Sequence, residues 1–213
     1  MEGIPAAAII GRVNVTAWSA YDEGYLAAYQ WSGQLAAGNP LPQVAATIQL
    51  GPGEVAHAHI APIGIFGYFG EQKDYNRSLF LFGGPVGLAV TGAASMAHNA
   101  SKKREAERAA IPQWHALGSG DLVMTNQRLA VTLNGNLQSL WHAENGALGS
   151  AVGTGGVPAV QLQPNGMPPL RLESPSAPTL FVFVHHLLEG RPPGVPMPPD
   201  LLDRARAQGR LSG

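Results

Sequence analysis

The chain has 213 residues, of which 45% are hydrophobic and only 13% charged, against about 25% charged in an average domain, so its surface is unusually neutral. Thirteen basic and 14 acidic residues leave a formal charge of −1, which argues against the strong positive field of a nucleic-acid binder. Cysteine is absent, which excludes disulfides, thiol nucleophiles and cysteine-ligated zinc.

The length suits one embellished domain or two small ones. Ten arginines against three lysines, with abundant Ala, Gly and Pro, have the codon bias of a GC-rich, bacterial genome. Glu2 stands where a secretory signal would be basic, and the apolar stretch Ala6–Ile10 is short, so no signal peptide is expected. Residues 1–15 read as irregular or strand-like.

Ser19 is a good N-cap, with Asp22 and Glu23 in the first turn of a helix that ends at Gly38-Asn39-Pro40. Trp18, Tyr21, Tyr25 and Tyr29 recur at spacings of three and four, and Leu26 stands beside them. That stripe predicts the face on which the helix packs. Gln43–Leu50 reads as a short helix or strand, and Gly51-Pro52-Gly53 as a turn. Glu54–Ile60 alternates as a strand does. Gly64–Gly70 reads as a bend and a second short strand.

Leu79–Ala97 runs about nineteen residues without a charge and is followed by Lys102-Lys103-Arg104. By length it is a candidate membrane span. Its Gly83, Gly84, Pro85, Gly87 and Gly92 instead favour a buried or surface-docked Ala/Gly-rich helix over about 86–110. A single span would also separate Glu54–Ile60 from the strands after residue 113, which one sheet forbids.

From Gln113 to Glu173 the chain is β-rich. The predicted strands are Trp114–Leu117, Leu122–Thr125, Leu129–Leu133, Gln138–His142, Gly146–Ala151, Ala159–Gln163 and Leu170–Glu173. Turn signals separate them at close intervals, as in a small barrel or sandwich. Leu122–Met124 and Leu129–Leu133, joined by Thr125-Asn126-Gln127-Arg128, form a hairpin pattern. Thr179–Glu189 then reads as a helix closed by Gly190, although Phe181-Val-Phe-Val184 reads equally as a strand that runs into a helix. A proline-rich connector, Pro192–Pro199, precedes a short terminal helix over Asp200–Arg210.

Two segments carry a resemblance. One is Leu50-Gly-Pro-Gly-Glu54-Val55. The other is Gly118-x-Gly120 followed by Leu122-Val-Met-Thr125-Asn126-x-Arg128-Leu129. Together with Leu140-Trp141 and the apolar run Thr179–Leu188, this order resembles the bacterial pleckstrin-homology-like and GRAM-like domains. The resemblance covers about residues 50–190. It implies an α+β fold: a small antiparallel β-barrel capped by a C-terminal helix. To this the chain adds an N-terminal helical extension (1–49), an insertion at about 64–112 with its Ala/Gly-rich helix, and a proline-rich connector and tail (191–213). The roles implied are binding of membrane lipids or protein partners, without catalysis.

The candidate binding residues are Lys102, Lys103, Arg104 and Arg108, which could meet anionic lipid headgroups. Glu105 and Glu107 dilute the cluster, and on a helix the set would also serve as an ordinary solvated face. His57-Ala-His59 has a usable metal-ligand spacing and follows Gly51 as in the front half of a cupin motif. The carboxylate expected next is missing, since Ile63 and Gly64 stand there. No Gly-x-Ser-x-Gly elbow or Gly-Lys-Ser/Thr phosphate loop occurs.

The leading expectation is a non-enzymatic binding or scaffolding module, cytoplasmic and peripheral at the inner membrane face. It would use no cofactor. Its partner would be a protein or an anionic lipid and not nucleic acid, and a homo-oligomer is compatible with it. A membrane-anchored protein spanning at Leu79–Ala97 is the alternative. A metal-dependent small-barrel enzyme using His57 and His59 is the third.

Overall fold

A computed structural model describes residues 18–70, 111–195 and 197–211. The fold is α+β. Helix α1 (Ala20–Ala36) is followed by β1 (Ala56–Phe69), β2 (Gln113–Thr125), β3 (Arg128–Leu133), β4 (Asn136–Trp141), β5 (Asn145–Val152), β6 (Pro158–Pro164) and β7 (Leu170–Glu173). Two helices follow, α2 (Ala177–Glu189) and α3 (Pro199–Ala207). The strands form one antiparallel sheet in the order β4-β3-β2-β1-β7-β6-β5. Among the described residues β4 and β5 are open edges, so the sheet does not close into the expected barrel.

Strand β1 joins the two parts of the sheet. It pairs with β2 from Ala56 to Phe69 and with β7 only from Gly64 to Gly67. The register slips between Ile60 and Ile63, so Ala61 and Pro62 oppose a single residue of β2. Pro62 has no N–H to give a ladder, and a bulge is where a strand tolerates that loss. The expected break before Gly64 is therefore a bulge inside one strand of 14 residues.

The same correction applies to β2, where Trp114–Leu117 and Leu122–Thr125 belong to one strand. Gly118, with φ of 147°, occupies a second bulge between them. At Gly120 an added Cβ would lie 2.1 Å from the Thr132 carbonyl oxygen. These glycines permit a bend and a close backbone approach within the strand; they are not a turn. The β2–β3 hairpin is as expected, with Met124 opposite Leu129 across Asn126-Gln127.

Alternation along the strands separates two faces. Leu122, Met124, Leu129 and Val131 join Ile63, Val160, Leu162 and Leu172 in the main core. Helix α2 closes that core with Leu180, Phe183 and Val184, and α1 packs against α2. Trp31 of α1 meets Phe183 edge to face at 5.3 Å. The opposite face carries a smaller cluster of Ala56, Val123 and Ala130, covered by Ala46 and Ile48. Gln43–Leu50 is thus neither helix nor strand; it is an irregular cover for that patch.

Ser19 caps α1 in a capping box with Asp22, as its sequence predicts. The packing face differs from the expectation. Tyr21 and Tyr29 are 44% and 40% exposed, while Gly24, Leu26, Ala28 and Leu35 are buried. The reason is a close crossing. A Cβ on Gly24 would stand 1.8 Å from the Pro175 carbonyl oxygen, so only small residues fit there. Trp18 instead meets two cations, with the Arg204 and Arg210 guanidinium carbons 5.3 and 4.3 Å from its ring centroid. Arg204 also pairs with Asp22 at 3.1 Å and Arg210 with Glu23 at 2.7 Å, tying α3 and the chain after it to the start of α1.

No helix among the described residues is long and apolar enough to cross a membrane. Leu79–Ala97, the helix expected at about 86–110, and residues 1–15 lie outside the described residues.

Candidate functional site

Glu54, Thr125 and Arg128 meet on the outer face, although Glu54 and Arg128 stand 74 positions apart. Arg128 grips the Glu54 carboxylate with two donors, Nε at 2.7 Å and a terminal nitrogen at 3.1 Å. The Thr125 hydroxyl donates to the same carboxylate at 2.8 Å, and the Gly51 N–H donates at 2.7 Å. Burial alone would raise the Glu54 carboxyl pKa. The Arg128 bond, the Gly51 amide, the Thr125 hydroxyl and the Arg128 charge outweigh it and hold the pKa below the ordinary glutamate value.

The surrounding bonds all close the same turn. Asn126 accepts from the Val55 N–H at 2.8 Å and donates to the Gly53 carbonyl at 3.0 Å. Arg128 also reaches Ser139 Oγ at 2.7 Å and lies 5.1 Å from the Trp141 ring centroid. Every part of Thr125-Asn126-x-Arg128 therefore holds the Gly51-Pro-Gly-Glu54 turn to the β2–β3 hairpin. The motif is structural, with its charges already engaged inside the protein.

His142 lies beneath this network. Its Nε2 is 2.9 Å from the Thr125 carbonyl oxygen, so the neutral ring carries its proton there and Nδ1 is left buried without a partner. Burial lowers its pKa, the Thr125 bond opposes this, and the electrostatic influence of the neighbouring His57 lowers it further. His57 turns Nδ1 to the Pro42 carbonyl at 2.6 Å, and His59 is exposed. No group of three or more His, Asp or Glu residues that could hold a metal occurs among the described residues. The proposed lipid contacts Lys102, Lys103, Arg104 and Arg108 lie outside them.

A pocket of about 270 Å³ opens on the core side between the β3–β4 edge and β7. Its walls include Ile65, Leu133, Leu140, Leu170 and Leu172, with Gln138 among them and, among the described residues, Glu144 as the one ionisable side chain. Gln138 is 7% exposed, and its Nε2 has no hydrogen-bond partner. The sequence reading missed this residue. The available signal was a polar side chain at a position where alternation with Leu140 calls for an apolar one.

No protein-family model matches the chain, and no curated protein or solved structure is significantly similar to it.

Proposed function

We propose that the chain is a non-enzymatic binding or scaffolding module on a pleckstrin-homology-like scaffold, working peripherally at the inner face of a membrane. The observation that carries this reading is contact between the two segments on which the resemblance rests. Glu54 of the first is bonded to Thr125 and Arg128 of the second. A strand meander followed by a helix after the last strand supports it as well. The open sheet departs from a closed barrel, and β1 is the strand through which a barrel-like curl would have to pass. Fold carries function only by analogy, so a functional test decides.

The test is sedimentation of the full chain with vesicles of neutral or anionic lipid, before and after a high-salt wash. Lys102, Lys103, Arg104 and Arg108, less Glu105 and Glu107, leave two net positive charges. At about 1 kcal/mol each near an anionic surface, these give roughly thirtyfold enrichment at low salt. Retention on anionic vesicles that salt releases, and that Lys102→Glu/Lys103→Glu abolishes, is the expected result. Equal sedimentation with neutral and anionic vesicles would overturn the membrane role. Retention that only detergent reverses would mean insertion of Leu79–Ala97 in its place.

A further inference from the structure

The geometry points to a binding site for a small, uncharged, largely apolar molecule bearing one hydrogen-bond acceptor, held in the pocket between the β3–β4 edge and β7 with its acceptor on Gln138. This inference goes beyond membrane docking and does not depend on it, because the pocket opens on the core side of the sheet.

Three observations carry it. The first is volume and lining. A volume of about 270 Å³ walled by Ile65, Leu133, Leu140, Leu170 and Leu172 suits a molecule of roughly ten to fifteen non-hydrogen atoms. The second is Gln138 itself. Strand pairing puts it opposite Val131, whose neighbours Leu129 and Leu133 are core residues, and Leu140 lies opposite Leu129. An apolar residue would satisfy that position. The glutamine instead brings a buried Nε2 with no partner, and leaving such a donor unsatisfied costs about 1–3 kcal/mol. With the side-chain amide turned toward the pocket, a ligand carbonyl or hydroxyl oxygen would supply the missing acceptor. Breaking the local pattern at a buried wall position that could orient a ligand is how binding sites depart from good core design.

The third observation is charge. Glu144, an exposed side chain, lines the rim of the same pocket, and among the described residues no cationic side chain does. A carboxylate ligand would give up its hydration among these apolar walls with no described cation to neutralise it. The acceptor is therefore neutral: a primary amide, ester, ketone or alcohol on a medium-length chain, and not a fatty acid.

The experiment titrates full-length ¹⁵N-labelled protein with decanamide, decanoate and n-butylbenzene, and follows the Gln138 side-chain amide together with overall affinity. Decanamide should bind saturably at one site, move the Gln138 amide resonances and bind at least tenfold more tightly than decanoate. Gln138→Leu should weaken decanamide about tenfold, leave n-butylbenzene binding intact and raise the stability of the free protein. Met167→Trp, a substitution in the loop that lines the pocket, should block all binding. If Gln138→Leu fails to fold, Gln138→Met tests the same selectivity, and the wild-type resonances remain a readout. Absence of saturable binding by decanamide and n-butylbenzene overturns the site. Decanamide affinity unchanged by loss of the glutamine overturns the role of Gln138. Preference for decanoate overturns the charge rule.

Discussion

Replacing Glu54 by Ala removes the carboxylate that accepts from Arg128, Thr125 and the Gly51 N–H where the turn before β1 meets the β2–β3 hairpin. The Glu54 side chain is 1% exposed and that of Arg128 is 12% exposed, so the pair is buried on one side and nearly so on the other. Breaking a buried pair from one side costs about 3–5 kcal/mol, chiefly because the remaining charge loses its partner. Arg128 would keep Ser139, the Gln49 carbonyl and the Trp141 face, which places the loss at the lower end, about 3 kcal/mol. In a chain of this length that is roughly 6–12 °C in Tm. Glu54→Gln should cost about 2 kcal/mol, because one of its two ends then presents a donor to a donor. Urea unfolding, followed by circular dichroism and tryptophan fluorescence, measures both. Combining Glu54→Gln with Arg128→Met isolates the pairwise part, which should exceed about 1 kcal/mol. The pH dependence has a definite sign. A carboxyl whose pKa is depressed by folding stabilises above the ordinary glutamate value, and that contribution is lost as pH falls through the folded value. Wild type should therefore lose more stability than Glu54→Gln on acidification below the ordinary glutamate range. A coupling under about 0.5 kcal/mol would refute the reasoning and make the network an incidental surface contact.

Two glycines of α1 should respond oppositely to the same substitution. Gly33 has nothing within 4 Å of an added Cβ, so Gly33→Ala should stabilise by about 0.5–1 kcal/mol through helix propensity. Gly24→Ala would drive its methyl into the Pro175 backbone, and thermal unfolding should show a net loss of about 1–3 kcal/mol despite the same propensity gain. His142 titrates in a different range from Glu54. Folding lowers its pKa, so between the folded and ordinary values the unfolded chain binds more protons and stability rises with pH. Acidification through the ordinary histidine range should therefore destabilise wild type, and His142→Gln, which keeps a donor for the Thr125 carbonyl and cannot titrate, should remove that part of the slope.

The elements most legible in the sequence were those marked by local chemistry. Ser19 with Asp22 and Gly190 define helix ends through bonds made within a few residues, and the Asn126-Gln127 turn does so for the hairpin. Strand lengths were less legible. A bulge keeps a strand going through Pro62 and Gly118, residue types that in isolation signal a break. The packing face of α1 was misread because tyrosines gave the stronger periodic signal, while the surface that packs is defined by the absence of side chain at Gly24. The Glu54–Arg128 pair was beyond a single sequence. Each residue was visible as part of a motif, but nothing local says that two side chains 74 positions apart share a bond. Gln138 could have been found by asking which strand position breaks alternation, and its lack of a partner required the neighbours.

The short ladder between β1 and β7 has a mechanical meaning. Strands β1–β4 form one leaf and β5–β7 another, and the backbone hydrogen bonds between the leaves are confined, among the described residues, to Gly64–Gly67 and the Tyr68 N–H bond to the Pro169 carbonyl. The pocket has Leu133 and Leu140 on one leaf and Leu170 and Leu172 on the other. Its width is thus governed by the angle at a narrow seam, and a guest that wedges the leaves apart loads those few bonds before any others. Amide exchange at Gly64–Gly67 would act as a strain gauge for occupancy, quickening with an oversized guest and slowing with one that fits.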